Sequence, residues 1–67
     1  MNIYTVRDNL KTTISGKEQY LESVKEEYKT SVGVDRTVLY STQAFLAINI
    51  DELKRILADV EKCVEKD

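Results

Sequence analysis

The fold is decided by residues 46–64, which read LAINIDELKRILADVEKCV. Six apolar residues in this stretch follow one another at intervals of 4, 3, 4, 3 and 4: Leu46, Ile50, Leu53, Leu57, Val60 and Val64. This spacing is the a/d heptad pattern of a helix that packs along another helix, and no polar residue interrupts it. The stretch therefore predicts one long amphipathic helix.

The first half of the chain carries a matching apolar stripe. Its members share one face of a helix: Val6, Leu10, Ile14, Leu21, Val24, Tyr28 and Val32. Two residues depart from the pattern. Gly16 lies in the middle of the predicted helix, where glycine costs about 1 kcal/mol relative to alanine. Lys17 occupies a stripe position, where it can extend its ammonium to solvent, specify register, or pair with an acid across an interface.

Signals for the ends of the two helices lie at four residues. Thr5 followed by Asp8 predicts a weak capping box at the start of helix 1, and Gly33 predicts the left-handed residue that closes it. Asp35 is the predicted N-cap of helix 2. A short connection makes the helices antiparallel neighbours. The expected organisation is one helical-hairpin domain over residues 1–67, with helix 1 over about 5–32, a turn at 33–35 and helix 2 over about 36–65.

The small size of the chain creates a need for further stabilisation. Below about 70–80 residues a single core rarely supplies more than roughly 3–5 kcal/mol, so small chains recruit disulfides, a metal or another subunit. The 67 residues include one cysteine, Cys63, and no histidine, so an internal disulfide cannot form and a structural zinc site is excluded. Self-association is the remaining way to stabilise so small a fold.

The apolar surface of helix 2 also points to self-association. Val38, Phe45, Ile56 and Cys63 flank the main stripe on one side, and together they widen the apolar arc to about 140°, which is more than one partner helix covers. Pairing two hairpins into a four-helix bundle would cover it, so we expect a homo-oligomer, with a dimer as the first choice. The expected oligomer interface comprises Val38, Phe45, Leu46, Ile50, Leu53, Ile56, Leu57 and Val60.

Further residues indicate a second contact surface. Ala44 and Ile48 point almost opposite the main stripe, where a hairpin dimer leaves them exposed, and Tyr20 flanks the stripe of helix 1. These three form a candidate surface for an unidentified protein partner, although single exposed apolar residues are also ordinary. Asn49, with Gln43, could fix register across a two-fold axis.

Cys63 has two interpretations that the sequence leaves open. It can be a small apolar core residue, or it can be a reactive or intersubunit thiol with nearby lysines that favour the thiolate.

No arrangement of residues typical of catalysis is found. Without histidine the commonest general base and metal ligand is missing, and the two glycines are too far apart for a phosphate loop. We therefore expect no catalytic residue, no cofactor and no metal. The carboxylates suit a solvated face with three local ion pairs, Glu22–Lys25, Glu26–Lys29 and Asp51–Arg55.

The composition favours a non-enzymatic protein–protein interaction or structural module. A hairpin that is monomeric alone and docks on a larger partner is a variant of this class. No apolar run reaches the roughly 20 residues that cross a bilayer, the start lacks the pattern of a secretory signal, and one thiol suits the cytoplasm. Small acidic helical chains of this kind are frequent among phage and mobile-element accessory proteins.

The alternative is a small nucleic-acid-binding regulator, with RNA favoured over DNA. Arg7, Lys11 and Lys25 share helix 1 with tyrosines, which suits contacts to single-stranded or looped RNA. Acidic residues interleave with them and the net charge is −2, which disfavours nucleic acid. The expected architecture resembles that of small hairpin dimers, among them acidic plasmid RNA modulators, so negative charge alone does not exclude RNA.

Overall fold

The computed structural model describes residues 2–66, which form two helices, α1 (Ile3–Thr30) and α2 (Gly33–Lys66). Ser31 and Val32 connect them. The molecule measures 52 × 16 × 15 Å along its principal axes. Because a helix of this length rises about 50 Å, the two helices must lie side by side. The predicted all-α fold and two-helix hairpin are confirmed.

The two apolar stripes meet in a seam between the helices. Within residues 2–66, four apolar side chains are buried there: Ile14, Val24, Leu46 and Ile50. The remaining seam positions are half-buried: Val6, Leu10, Lys17, Leu21, Tyr28, Leu39, Leu53, Leu57, Val60 and Val64. Lys17 therefore lies at a stripe position as the spacing requires. Val32 is exposed, because it belongs to the connection and not to α1.

The start of α1 differs from the predicted capping box. Asn2 is the N-cap, and its side-chain Oδ1 accepts a hydrogen bond from the backbone N–H of Tyr4 at 2.7 Å. Thr5 therefore lies inside the first turn, and Asp8 pairs with Arg7 at 3.1 Å instead of folding back. The predicted box was wrong because asparagine, which is among the best N-cap residues, precedes the weaker threonine by three residues.

The connection also lies two residues earlier than predicted. Ser31 ends α1 in an extended conformation, and both its backbone N–H and its hydroxyl donate to the carbonyl oxygen of Tyr28. Gly33 has a φ of +64°, the left-handed value expected of it, but it opens α2 instead of closing α1. Asp35 consequently lies in the first turn of α2 and is not the N-cap.

The turn is tightened by one arginine. The Arg36 guanidinium lies 4.0 Å from the centre of the Tyr28 ring and donates to the Tyr28 carbonyl oxygen at 3.3 Å. The Tyr28 ring also contacts that of Tyr40, with centres 6.3 Å apart. Aromatic and cation–π contacts of this kind each add a modest stabilisation, so the closed end of the hairpin has a small cluster of its own.

We predict that Asn2→Ala lowers the free energy of unfolding by about 1 kcal/mol, because the Tyr4 N–H loses its acceptor. Thermal denaturation followed by circular dichroism measures the change. The matched control is Thr5→Ala, three residues further along α1, which we expect to remain within about 0.5 kcal/mol of the parent. If Thr5→Ala lowers the free energy of unfolding more than Asn2→Ala does, the capping box predicted from the sequence is correct.

Candidate interaction surface

The side of α2 next to the seam remains uncovered in the hairpin. Phe45 is 68% exposed, Val38 56% and Ile56 50%, and Cys63 is exposed as well. Successive members are separated by 7, 11 and 7 residues, which returns them to nearly the same bearing on a helix of 3.6 residues per turn. They form one apolar row along most of α2.

One side of α1 continues this surface. Phe45 and Thr42 of α2 line an open groove of about 480 Å³ together with Thr13, Gly16 and Tyr20 of α1. We call the combined surface the flank face: Val38, Phe45, Ile56 and Cys63 from α2, with Thr13, Gly16 and Tyr20 from α1.

The eight residues of the expected oligomer interface divide into three groups. Leu46 and Ile50 are buried within a single hairpin. Leu53, Leu57 and Val60 are half-buried between the two helices. Val38, Phe45 and Ile56 lie on the flank face, and of the eight only these three are exposed.

The three residues of the candidate partner surface do not come together. Tyr20 lies beside Phe45 on the flank face. Ala44 lines a separate groove with Leu21, Lys25 and Tyr40 on the other side of the seam, and Ile48, one turn further along α2, is 64% exposed. We refer to Ala44 and Ile48 as the second surface. Sequence reasoning grouped Tyr20 with them because the handedness of the hairpin, which decides the side, was not known.

Several ion pairs lie on the exposed surface of the hairpin. The three predicted pairs are present: Glu22–Lys25 at 3.7 Å, Glu26–Lys29 at 3.0 Å and Asp51–Arg55 at 2.8 Å. A fourth joins the two helices, Glu18 to Lys54 at 3.2 Å, and no sequence spacing pointed to it. All four are solvent-exposed, so each contributes little to stability.

The basic residues of the nucleic-acid alternative are largely engaged. Arg7 pairs with Asp8 and lies 5.4 Å from the centre of the Tyr4 ring, and Lys25 pairs with Glu22. A phosphate-binding surface needs cations that are free to displace counterions. This face offers alternating charges instead.

Asn49 is the one polar side chain whose environment is unusual among residues 2–66. It is half-buried at the edge of the seam, four residues after Phe45, and its Oδ1 is buried without a hydrogen-bond partner. A buried acceptor left unpaired costs about 1–3 kcal/mol. The hairpin alone therefore does not satisfy this amide.

No family model, curated protein or solved structure matches this chain. In residues 2–66 no three of the potential metal-binding side chains lie close enough to hold an ion. Neither α1 nor α2 is long and apolar enough to cross a membrane.

We predict that the Cys63 thiol reacts with iodoacetamide at close to the rate of a free peptide thiol when the protein is dilute, because the hairpin leaves it exposed. Mass spectrometry of timed samples measures the rate, and the urea-unfolded chain is the control. A thiol protected at the lowest protein concentration would show instead that the hairpin buries it.

Proposed function

We propose that this protein is a non-enzymatic interaction module that acts as a self-associated helical hairpin, with two copies forming a four-helix bundle. In the bundle the flank faces meet, and the second surface stays outside for a macromolecular partner. The lone thiol suits a reducing compartment such as the cytoplasm. The observation that carries the proposal is the exposed row Val38, Phe45 and Ile56 beside a core of very few buried side chains.

The energetic reason lies in the size of that row. Burying a valine, isoleucine or phenylalanine side chain stabilises a protein by about 1.5–3 kcal/mol. Three such residues left mostly in water forfeit several kcal/mol, which is comparable to the whole stability of a small domain. A second copy recovers this free energy without any change in the hairpin.

A second observation supports an elongated module with an open side. The radius of gyration is 15.4 Å, whereas a compact chain of this length would have about 11 Å. The molecule is therefore a rod two helices wide, and every residue of its flank face is accessible along its length.

We predict that Phe45→Ser weakens the dimer by at least roughly 100-fold, because two phenylalanine side chains per dimer lose their burial, each worth about 1.5–3 kcal/mol. Sedimentation equilibrium over a range of concentrations measures the dissociation constant. The control is Ile48→Ser, since Ile48 is 64% exposed against 68% for Phe45 but lies on the second surface. We expect the dimer to persist in that variant.

A parent chain that sediments as a 7.7 kDa single copy and melts cooperatively at millimolar concentration would contradict self-association. Retardation of structured RNA in a low-salt gel shift at micromolar protein would instead favour the nucleic-acid alternative. Sedimentation tests self-association through the flank face, whereas the gel shift tests RNA binding by the basic residues of α1. Each result can therefore be interpreted without the other.

A further inference from the structure

The apolar row on α2 has a symmetric spacing. Val38, Phe45, Ile56 and Cys63 are separated by 7, 11 and 7 residues, so the row reads the same from either end. Its centre falls between Ile50 and Asp51, within about one residue of the middle of α2 (Gly33–Lys66). A helix needs such a pattern to pack antiparallel on a copy of itself, because each contact then occurs twice about a two-fold axis.

The flank face of α1 has a similar symmetry about its own middle. Thr13 and Tyr20 are equally distant from a point between Gly16 and Lys17, which is the middle of α1 (Ile3–Thr30). Glycine is a poor helix former in such a position. Nothing lies within 4 Å of where a Cβ on Gly16 would be, so no contact inside the hairpin requires glycine. Close approach of another backbone would require it.

We propose that the flank face binds a second copy of this chain in antiparallel orientation, with α2 on α2 and α1 on α1. The two-fold axis crosses both helices near their middles. Phe45 then packs against Ile56 of the second copy, and Val38 packs against Cys63 of the second copy. This arrangement rests on the self-association proposed above and specifies its geometry.

The alternative to the antiparallel dimer has its two-fold axis parallel to the helices, so that α2 packs on α1 of the second copy. In that dimer the symmetric spacing within α2 would serve no purpose, because α2 would not contact α2 of the second copy. The central glycine on α1 would also face the side chains of α2 instead of the α1 backbone of the second copy. The symmetry of both helices therefore favours the antiparallel dimer.

The exposed area of the hairpin fits a second copy as the occupant. The accessible surface is 5083 Å², which exceeds by roughly 750 Å² the area that scaling gives for a monomer of this mass. A standard interface buries about 800 Å² on each partner. Covering one flank face on each copy would therefore remove the excess.

The distribution of charged residues along α2 is also compatible with self-pairing. No charged residue occurs between Arg36 and Asp51 on α2. Glu52 lies seven residues after Phe45 and therefore on the flank face. The two-fold axis places it opposite Asn49 of the second copy. Rotation of the Asn49 side chain toward the flank face would let its Nδ2 donate to that carboxylate, which offsets the cost of placing two acidic groups near the axis.

The test uses the native thiol, Cys63, of the 67-residue chain. In Val38→Cys the new thiol and Cys63 of the same chain are about 37 Å apart along α2, so they cannot bond to each other. In the antiparallel dimer the new thiol lies opposite Cys63 of the second copy, within reach of a disulfide, whose Cα atoms are at most about 7 Å apart. Mild oxidation and non-reducing electrophoresis should give a covalent dimer that disappears in Val38→Cys with Cys63→Ser.

The parent chain should give no covalent dimer, because its two Cys63 thiols lie at opposite ends of the bundle. A covalent parent dimer, or a Val38→Cys variant that sediments as a dimer without cross-linking, would overturn the antiparallel arrangement and leave self-association standing. A parent chain that is monomeric in sedimentation would overturn both proposals.

A second variant tests the contact between the α1 helices. Gly16→Ala raises helix propensity and meets no atom inside the hairpin, so the fold is retained. We expect its dimer to dissociate at a concentration at least ten times higher than that of the parent. Ser15→Ala, on the neighbouring outer position, is the control and should leave the dimer unchanged. Undiminished dimerisation of Gly16→Ala would overturn the α1–α1 contact.

Discussion

The structure depends on one limit, which is how much apolar surface two helices can cover for each other. Contact between two helices buries a single stripe on each, and here Ile14, Val24, Leu46 and Ile50 are the buried side chains of residues 2–66. The apolar arc of α2 is wider than its contact with α1. The uncovered part of that arc lies on the flank face.

The seam could be predicted from the sequence, whereas the helix ends could not. A 4–3 spacing sustained over six residues has one physical solution, because only a helix against a helix keeps such a stripe facing its partner. At the ends several residues compete within one turn. Asn2 and Thr5 can both cap α1, and Gly33 can close one helix or open the next. Differences of about 1 kcal/mol decide between them, and spacing alone does not carry that information.

On the surface, contacts within one helix could be predicted from the sequence, whereas contacts between the two helices could not. Pairs three or four residues apart on one helix, such as Asp51 and Arg55, follow from helical geometry and were predicted. Glu18 and Lys54 meet across the seam, and their contact depends on the rotation of one helix against the other. Tyr20 was grouped with Ala44 and Ile48 for a related reason. Which residues of the two helices share a surface depends on how the helices are rotated against each other, and that required the structure.

Three features of the hairpin are unfavourable when it is considered alone, and all three lie on or beside the flank face. Gly16 weakens α1 without relieving any contact, Phe45 is mostly in water, and the Asn49 amide oxygen is buried without a partner. In sequences that specify one structure, local and global preferences generally agree, and disagreements concentrate where function makes its own demands. The proposed pairing of two copies would account for two of these features, Gly16 and Phe45.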